Sequence, residues 1–206
     1  MPGLQLAPQL LPFLLASLLI ELTPGPNMTW LAILTLSEGK ARGLRAVAGI
    51  SLGLALLGIA GALGVSEIIN ASQLIYQTLR WAGIAFLLYL AWDGWRGERD
   101  TSSEGTQDSR AFIRGLITNL LNPKAAVFYI AVLPAFIVET SPLAPQTWVL
   151  TTGYVLVATL VHAAIVLLAG QVQPLLAEPR LAMITRRVLS LGLVVVALWF
   201  AWSTRH

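Results

Sequence analysis

Long apolar runs separated by short polar segments make up almost the whole chain. A helix of about 20 apolar residues is long enough to cross the ~30 Å hydrocarbon core of a bilayer. Runs that reach or approach this length occur three times before the polar stretch 97–110 and three times after it. The pattern therefore predicts an all-α membrane protein with six transmembrane helices. The predicted helices cover residues 9–36, 46–65, 76–95, 112–138, 146–170 and 188–202.

The composition agrees with a protein that is built for lipid. Of the 206 residues, 56% are hydrophobic and 11% are charged, and the mean hydropathy is +0.75. Soluble domains carry about 25% charged residues. A chain of this length has room for about six or seven helices, so we expect one transmembrane domain over residues 1–206.

Several kinds of chemistry are excluded or left without support. The chain has no cysteine, which excludes disulfides, thiolate metal sites and cysteine nucleophiles. It contains no phosphate-binding loop, no nucleophile elbow and no metalloprotease motif. We therefore expect no enzyme activity, no cofactor and no metal.

Basic residues are concentrated in the segments after the first, third and fifth predicted helices. Segments on the cytoplasmic side of a membrane protein are enriched in lysine and arginine, so this distribution predicts that both termini lie outside. The net charge is only +3, and nucleic acid is not an expected partner. The ten basic residues on the predicted cytoplasmic side are Lys40, Arg42, Arg45, Arg96, Arg99, Arg110, Arg114, Arg180, Arg186 and Arg187, against Arg80 and Arg205 on the other.

The polar stretch divides the chain into two predicted halves, 1–96 and 111–206, joined by a cytoplasmic linker at 97–110. Three spans reverse the direction of the chain, so a repeat between the halves must be inverted in the membrane. Inverted repeats are common in secondary transporters. Sequence identity between the halves is weak, since an alignment of Pro24 with Pro123 matches few other positions.

The first and fourth predicted helices are interrupted near their middles. Pro24, Gly25 and Pro26 interrupt the first, and Asn122 and Pro123 interrupt the fourth. Proline removes a backbone donor and clashes with the preceding helical turn. Non-helical backbone at membrane depth is tolerated where it is buried in protein or lines a water-filled cavity. We therefore predict that the two breaks line a cavity.

One ionisable residue lies next to each break. Glu21 is ~18 Å along the helix from residue 9, and Lys124 is ~15 Å from the cytoplasmic Arg114, which places both near mid-membrane. Such residues usually mark a substrate or ion pathway. One hypothesis is that Glu21 binds a substrate ammonium or a transported proton, while Lys124 holds a carboxylate. The alternative is a permanent structural ion pair between the two, and the coincidence with two helix breaks favours the first.

Polar side chains near the breaks have open roles at this stage. Thr23, Asn27, Asn119 and Asn122 can contact a substrate, but each can also cap a freed backbone group. In the fifth helix, His162 can relay protons or bond a neighbouring helix. Asp93 is expected to pair locally at the inner interface, beside Arg96, and is a gate candidate. The glycines of the second helix predict close helix packing rather than a site: they are Gly49, Gly53, Gly58, Gly61 and Gly64.

The two interrupted segments resemble those of a known family. Leu22-Thr23-Pro24-Gly25-Pro26-Asn27 and Asn119-Leu120-Leu121-Asn122-Pro123-Lys124-Ala125-Ala126, followed by Leu133-Pro134-Ala135-Phe136, resemble the lysine exporter and threonine/homoserine exporter (LysE/RhtB) family. The resemblance implies a bacterial inner-membrane carrier of about six helices that exports amino acids or related small metabolites, driven by the proton gradient.

The resemblance carries site roles over to the residues of both motifs. The predicted substrate-binding residues are Glu21, Thr23, Pro24, Gly25, Pro26, Asn27, Asn119, Asn122, Pro123 and Lys124, and Glu21 and His162 are the proton-coupling candidates. The expected partners are a small-molecule substrate, protons and the lipid bilayer, with a homodimer left open. The rival hypotheses are an intramembrane enzyme and a non-transporting assembly subunit.

Overall fold

A computed structural model describes residues 7–23, 25–62, 73–96, 104–138, 141–173 and 179–203 of the chain. Within these ranges all regular structure is helical, which confirms the predicted all-α class. The helices are α1 (Ala7–Leu22), α2 (Pro26–Glu38), α3 (Lys40–Ala62), α4 (Gln73–Arg96), α5 (Glu104–Leu120), α6 (Pro123–Val127), α7 (Leu143–Val172) and α8 (Pro179–Ser203). After α6 the chain continues as a π-helix (Phe128–Val132) and a 3-10 helix (Leu133–Phe136).

Up to four of the six predicted spans are long and apolar enough to cross a membrane among the described residues. Two of them, α3 and α7, can do so alone. The first and fourth predicted helices are bent pairs: α1 meets α2 at 59°, and α5 meets the segment from α6 to Phe136 at 53°. The other two predicted spans coincide with α4 and α8, of 24 and 25 residues, or about 36 Å or more at helical rise. That these two helices cross the membrane stays a prediction.

Large apolar side chains on the outer surface support the membrane assignment. Leu11, Leu19, Leu160 and Leu168 are 66%, 68%, 70% and 64% exposed, respectively. Exposed apolar surface of this extent is unusual for a soluble monomer. Together with the apolar helices, these exposed faces of α1 and α7 indicate a multi-pass membrane protein.

Several helices begin earlier than the apolar runs predicted. A tight turn at Gly39, whose φ of 93° lies in the left-handed region, lets α3 begin at Lys40 instead of residue 46. Residues 104–110, predicted as linker, are the first turns of α5, and α8 begins at Pro179 instead of residue 188. A helix can extend beyond its apolar residues, because polar side chains in the added turns form contacts with residues of other helices. Asp108 in α5, for example, lies 3.3 Å from Arg45 in α3.

Some predictions fall outside the described residues. They include residues 63–65 of the second predicted helix, with Gly64, and residues 97–103 of the linker. The division of the chain into two halves and a linker stays a prediction.

The packing order agrees with two related halves. Helices α3 and α7 follow the first and second bent pairs and pack against each other. So do α4 and α8, which follow α3 and α7, respectively. Contact between elements at the same position in each half is what an approximate two-fold relation produces.

Glycines bring α3 unusually close to α5 and α7. A Cβ atom on Gly49 would lie 2.1 Å from the carbonyl oxygen of Phe112 in α5, and one on Gly58 would lie 2.3 Å from Thr151 Cγ2 in α7. A Cβ on Gly53 would lie 2.8 Å from the side-chain nitrogen of Asn119. The packing role predicted for these three glycines is confirmed.

Candidate functional site

The first helix break lies at residues 23–25. The last turn of α1 ends with the Thr23 amide bonded to the Ile20 carbonyl at 3.1 Å, and α2 begins at Pro26. Proline suits the first position of a helix because its missing N–H has no partner there in any case. Gly25 precedes it in an extended conformation. Pro24 lies outside the described residues.

The second break lies between α5 and α6, and Asn122 organises it. Its side-chain oxygen accepts a hydrogen bond of 3.1 Å from the Lys124 amide, the standard capping interaction of a helix N-terminus. Pro123 again takes the first helical position. The π-helical segment that follows is of a kind found frequently at functional sites.

The two breaks contact each other directly. The Lys124 ammonium donates a hydrogen bond of 2.9 Å to the Thr23 carbonyl, 101 residues away in the chain. The side-chain amide of Asn27 donates one of 2.9 Å to the side-chain oxygen of Asn119, 92 residues away. Both bonds join the first half of the chain to the second. The two breaks are therefore in contact in the structure.

Glu21 is buried beside the breaks, with 4% of its surface exposed. Its Oε1 accepts a hydrogen bond of 2.7 Å from the hydroxyl of Tyr154 in α7. Its Oε2 lies 3.7 Å from Nε2 of His162, too far for a hydrogen bond but close enough for an ionic interaction if the imidazole is protonated. One carboxylate oxygen of Glu21 is therefore hydrogen-bonded to Tyr154, and the other lies near the titratable ring of His162.

Aromatic side chains hold Tyr154 in place. Its ring stacks on Phe128 with centroids 3.5 Å apart and meets Tyr129 edge-on at 5.4 Å. Tyr129 in turn donates a hydrogen bond of 2.8 Å to the Leu54 carbonyl of α3. The π-helical segment, which carries both Phe128 and Tyr129, thus fixes the partner of Glu21.

Glu21 and Lys124 do not form an ion pair in the part of the chain that the structure describes. Each has partners of its own, Tyr154 and His162 for the carboxylate and the Thr23 carbonyl for the ammonium. The alternative of a permanent Glu21–Lys124 pair does not describe this conformation. Both side chains nevertheless line one cavity.

That cavity, the polar cavity, contains most of the predicted site residues. Its space is small and has room for about one ordered water molecule, so this conformation is closed. Its lining consists of Glu21, Gly25, Asn27, Met28, Leu54, Asn119, Asn122, Lys124, Ala125, Tyr154 and His162.

Four of these residues were not predicted from the sequence: Tyr154, Met28, Leu54 and Ala125. Of the four, Tyr154 has a position in the sequence from which it could have been predicted. Tyr154 lies eight residues before His162, which on an α-helix is close to the same face. Tyr154, Ala158 and His162 are all buried on α7. Met28, Leu54 and Ala125 carry no chemical signal that distinguishes them from other core residues.

The remaining predicted residues lie at the edge of the site. Thr23 contributes its carbonyl to Lys124, while its hydroxyl donates to the Leu19 carbonyl at 3.1 Å and so caps its own helix. Pro123 begins α6. Pro26 lines a different space.

That second space, the apolar cavity, lies between α4 and the two breaks. Phe86 and Leu87 of α4 and Leu121 give it a mostly apolar surface. Its lining consists of Pro26, Gly83, Phe86, Leu87, Thr118, Leu121 and Asn122.

Two buried atoms of the Asn27–Asn119 pair have no hydrogen-bond partner among the described residues. They are Oδ1 of Asn27, an acceptor, and Nδ2 of Asn119, a donor. Buried polar atoms are rarely left without partners, because their desolvation is then uncompensated. The Asn27 oxygen and the Asn119 nitrogen can therefore each form a hydrogen bond with a ligand or a water molecule.

Asp93 forms an ion pair, but its partner comes from another helix. Its carboxylate lies 2.7 Å from Arg114 of α5, which also lies 3.9 Å from Glu38. The cluster joins both halves of the chain on the side rich in basic residues.

Comparisons with known proteins give a consistent result. The family model described as LysE type translocator matches residues 18–204. The chain is similar to a homoserine/homoserine lactone efflux protein of Salmonella typhimurium, with 27% identity over 172 residues, or 82% of this chain and 84% of the relative. It is 28% identical over 175 residues to an uncharacterized membrane protein of Vibrio cholerae, covering 83% of this chain and 85% of the relative. No solved structure matches the chain.

Proposed function

Because the chain belongs to the LysE type translocator family, we propose that it exports small amino acids or closely related metabolites across the bacterial inner membrane by proton-coupled secondary transport. The family and the names of the relatives indicate a transporter rather than an enzyme. The ten basic residues on one side support an orientation with both termini outside.

One observation carries the proposal: the buried carboxylate of Glu21 and the half-buried ammonium of Lys124 line the same cavity without being paired to each other. An amino acid is a zwitterion and needs partners of both signs. Its ammonium would bind Glu21, and its carboxylate would bind Lys124.

The closed cavity supports alternating access. No amino acid fits into a space the size of a water molecule, so the lining has to move before a substrate binds. The Lys124–Thr23 hydrogen bond spans both breaks and is the contact that a substrate carboxylate would replace. Breaking it would remove one of the two hydrogen bonds described between the breaks, the other being Asn27–Asn119.

Glu21 supplies a simple means of coupling. A protonated Glu21 no longer attracts an ammonium group, so the proton and the substrate compete for one carboxyl group. Competition for one site converts an inward proton gradient into outward movement of substrate. His162, with Nε2 at 3.7 Å from Oε2, is placed to pass the proton on.

The test is transport by the purified protein in liposomes. Liposomes loaded with homoserine, the solute named for one relative, are placed under a pH gradient, and solute release is followed. We expect release from the wild type and a large loss with Glu21→Gln. Asp108→Asn removes the same charge from the surface pair with Arg45 and should release solute as the wild type does.

Substrate exchange without a pH gradient separates binding from coupling. Glu21→Gln should lose exchange as well, because the substrate ammonium then lacks its partner. A variant that retains exchange but ignores the gradient would mean that Glu21 binds the proton and not the substrate. If the wild type and all variants release no amino acid from a panel that includes homoserine, the proposed function is wrong.

A further inference from the structure

Residues of the same pair of breaks line both the polar and the apolar cavity. Asn122 lines both. In the first break, Gly25 lines the polar cavity and its neighbour Pro26 lines the apolar one. The two spaces are therefore adjacent and share Asn122 in their linings.

The lining of the apolar cavity admits few kinds of chemical group. Apart from the Asn122 amide, its polar side chain is Thr118, whose hydroxyl donates to the Arg114 carbonyl at 2.6 Å and keeps its lone pairs to accept a bond. No charged side chain among the described residues lines it. A charged group placed there would lose its hydration without gaining a partner, at high cost.

We propose that the apolar cavity binds the side chain of the transported amino acid, while the polar cavity binds its ammonium and carboxylate. The carrier then prefers amino acids with short uncharged side chains, aliphatic or hydroxylated, and excludes acidic and basic ones. This assignment rests on the proposed function and names the determinant of its selectivity.

Asn122 links the two subsites. Its side-chain oxygen caps the Lys124 amide in the closed conformation. A substrate that reaches from one cavity to the other has to turn this side chain away, which frees the Lys124 amide to bond the substrate carboxylate. Filling of the apolar cavity thereby strengthens binding in the polar one.

Two adjacent leucines of α4 provide a matched test. Leu87 lines the apolar cavity and is 3% exposed, whereas Leu88 faces outward and is 38% exposed. Leu87→Ala enlarges the cavity, and we expect the export rate of leucine relative to homoserine to rise about 10-fold or more, the usual worth of a few methylene groups in such a pocket. Leu88→Ala should leave this ratio within about two-fold of the wild type, since it changes no pocket contact.

A second variant keeps the proposal testable if Leu87→Ala does not fold. Thr118→Val removes a hydroxyl at nearly constant shape and should lower the preference for homoserine over an apolar side chain of similar size. Wild-type export with unchanged ratios in every folded Leu87 or Thr118 variant would overturn the side-chain site but leave the proposed function standing. Absence of export by the wild type would instead refute the proposed function.

Discussion

Tyr154 and Glu21 are joined by a hydrogen bond of 2.7 Å between hydroxyl and carboxylate, although 133 residues separate them in the chain. Both are buried, at 0% and 4% exposure. The bond ties the end of α1 to the middle of α7 and engages one carboxylate oxygen of Glu21. The other oxygen, Oε2, lies 3.7 Å from Nε2 of His162.

Replacement of Tyr154 by phenylalanine should slow export driven by a pH gradient by about 10-fold or more. A hydrogen bond to a charged group contributes about 1.5–3 kcal/mol, and its loss leaves the carboxylate poorly solvated. Tyr129→Phe is the matched control, because the Tyr129 hydroxyl bonds the Leu54 carbonyl and not Glu21. Equal rates for the two variants at every pH would refute a special role for the Tyr154 hydroxyl.

Replacement of Lys124 by methionine should discriminate between an amino acid and its lactone. The lactone has no carboxylate, so its export should fall less when the Lys124 ammonium is removed. We expect homoserine export to fall by much more than homoserine lactone export, measured with both solutes in the same liposomes. Lys40→Met, at the start of α3 and outside the cavity, is the control. Equal losses for both solutes would mean that Lys124 does not bind the carboxylate.

The predicted orientation can be tested without background labelling, because the chain has no cysteine. Ser109→Cys lies in the first turns of α5 on an exposed position, and Ser203→Cys lies at the end of α8. With both termini outside, a membrane-impermeant maleimide added to intact cells should label Ser203→Cys and not Ser109→Cys. The reverse pattern would show that the termini lie inside.

Alanine at Gly49 should destabilise the protein severely. The new methyl group would lie 2.1 Å from the Phe112 carbonyl oxygen, so the α3 and α5 backbones would have to separate. Gly192→Ala is the control, since a Cβ there meets nothing within 4 Å and alanine is the better helix former by ~1 kcal/mol. Thermal unfolding in detergent should show a large drop for Gly49→Ala alone; similar midpoints would contradict the described contact.

Features determined by local sequence could be predicted. Proline acts on its own helix, so the breaks at Pro26 and Pro123 followed directly from the residues. The mid-membrane positions of Glu21 and Lys124 are a prediction that rests on counting along each helix. Their location in one cavity followed from the high cost of leaving either charge in lipid.

Features determined by contacts between distant elements could not be predicted. The pairing of Asn27 with Asn119 and the bond from Lys124 to the Thr23 carbonyl depend on how two broken helices cross. The π-helical segment has no local signal in Phe128–Val132. The early start of α5 depends on partners such as Arg45 in another helix, which a search for apolar runs does not detect.

The contact between α3 and α5 bears on which parts of the molecule can move in the proposed transport cycle. At this contact the Phe112 carbonyl faces Gly49 and the Ala46 carbonyl faces Gly115, so main chain lies on main chain with no side chains between them to change rotamer. Two helices packed in this way are expected to move together as one rigid unit. Helix α3 belongs to the first half of the sequence and α5 to the second, so we expect that the units that tilt in the proposed cycle do not coincide with the two halves.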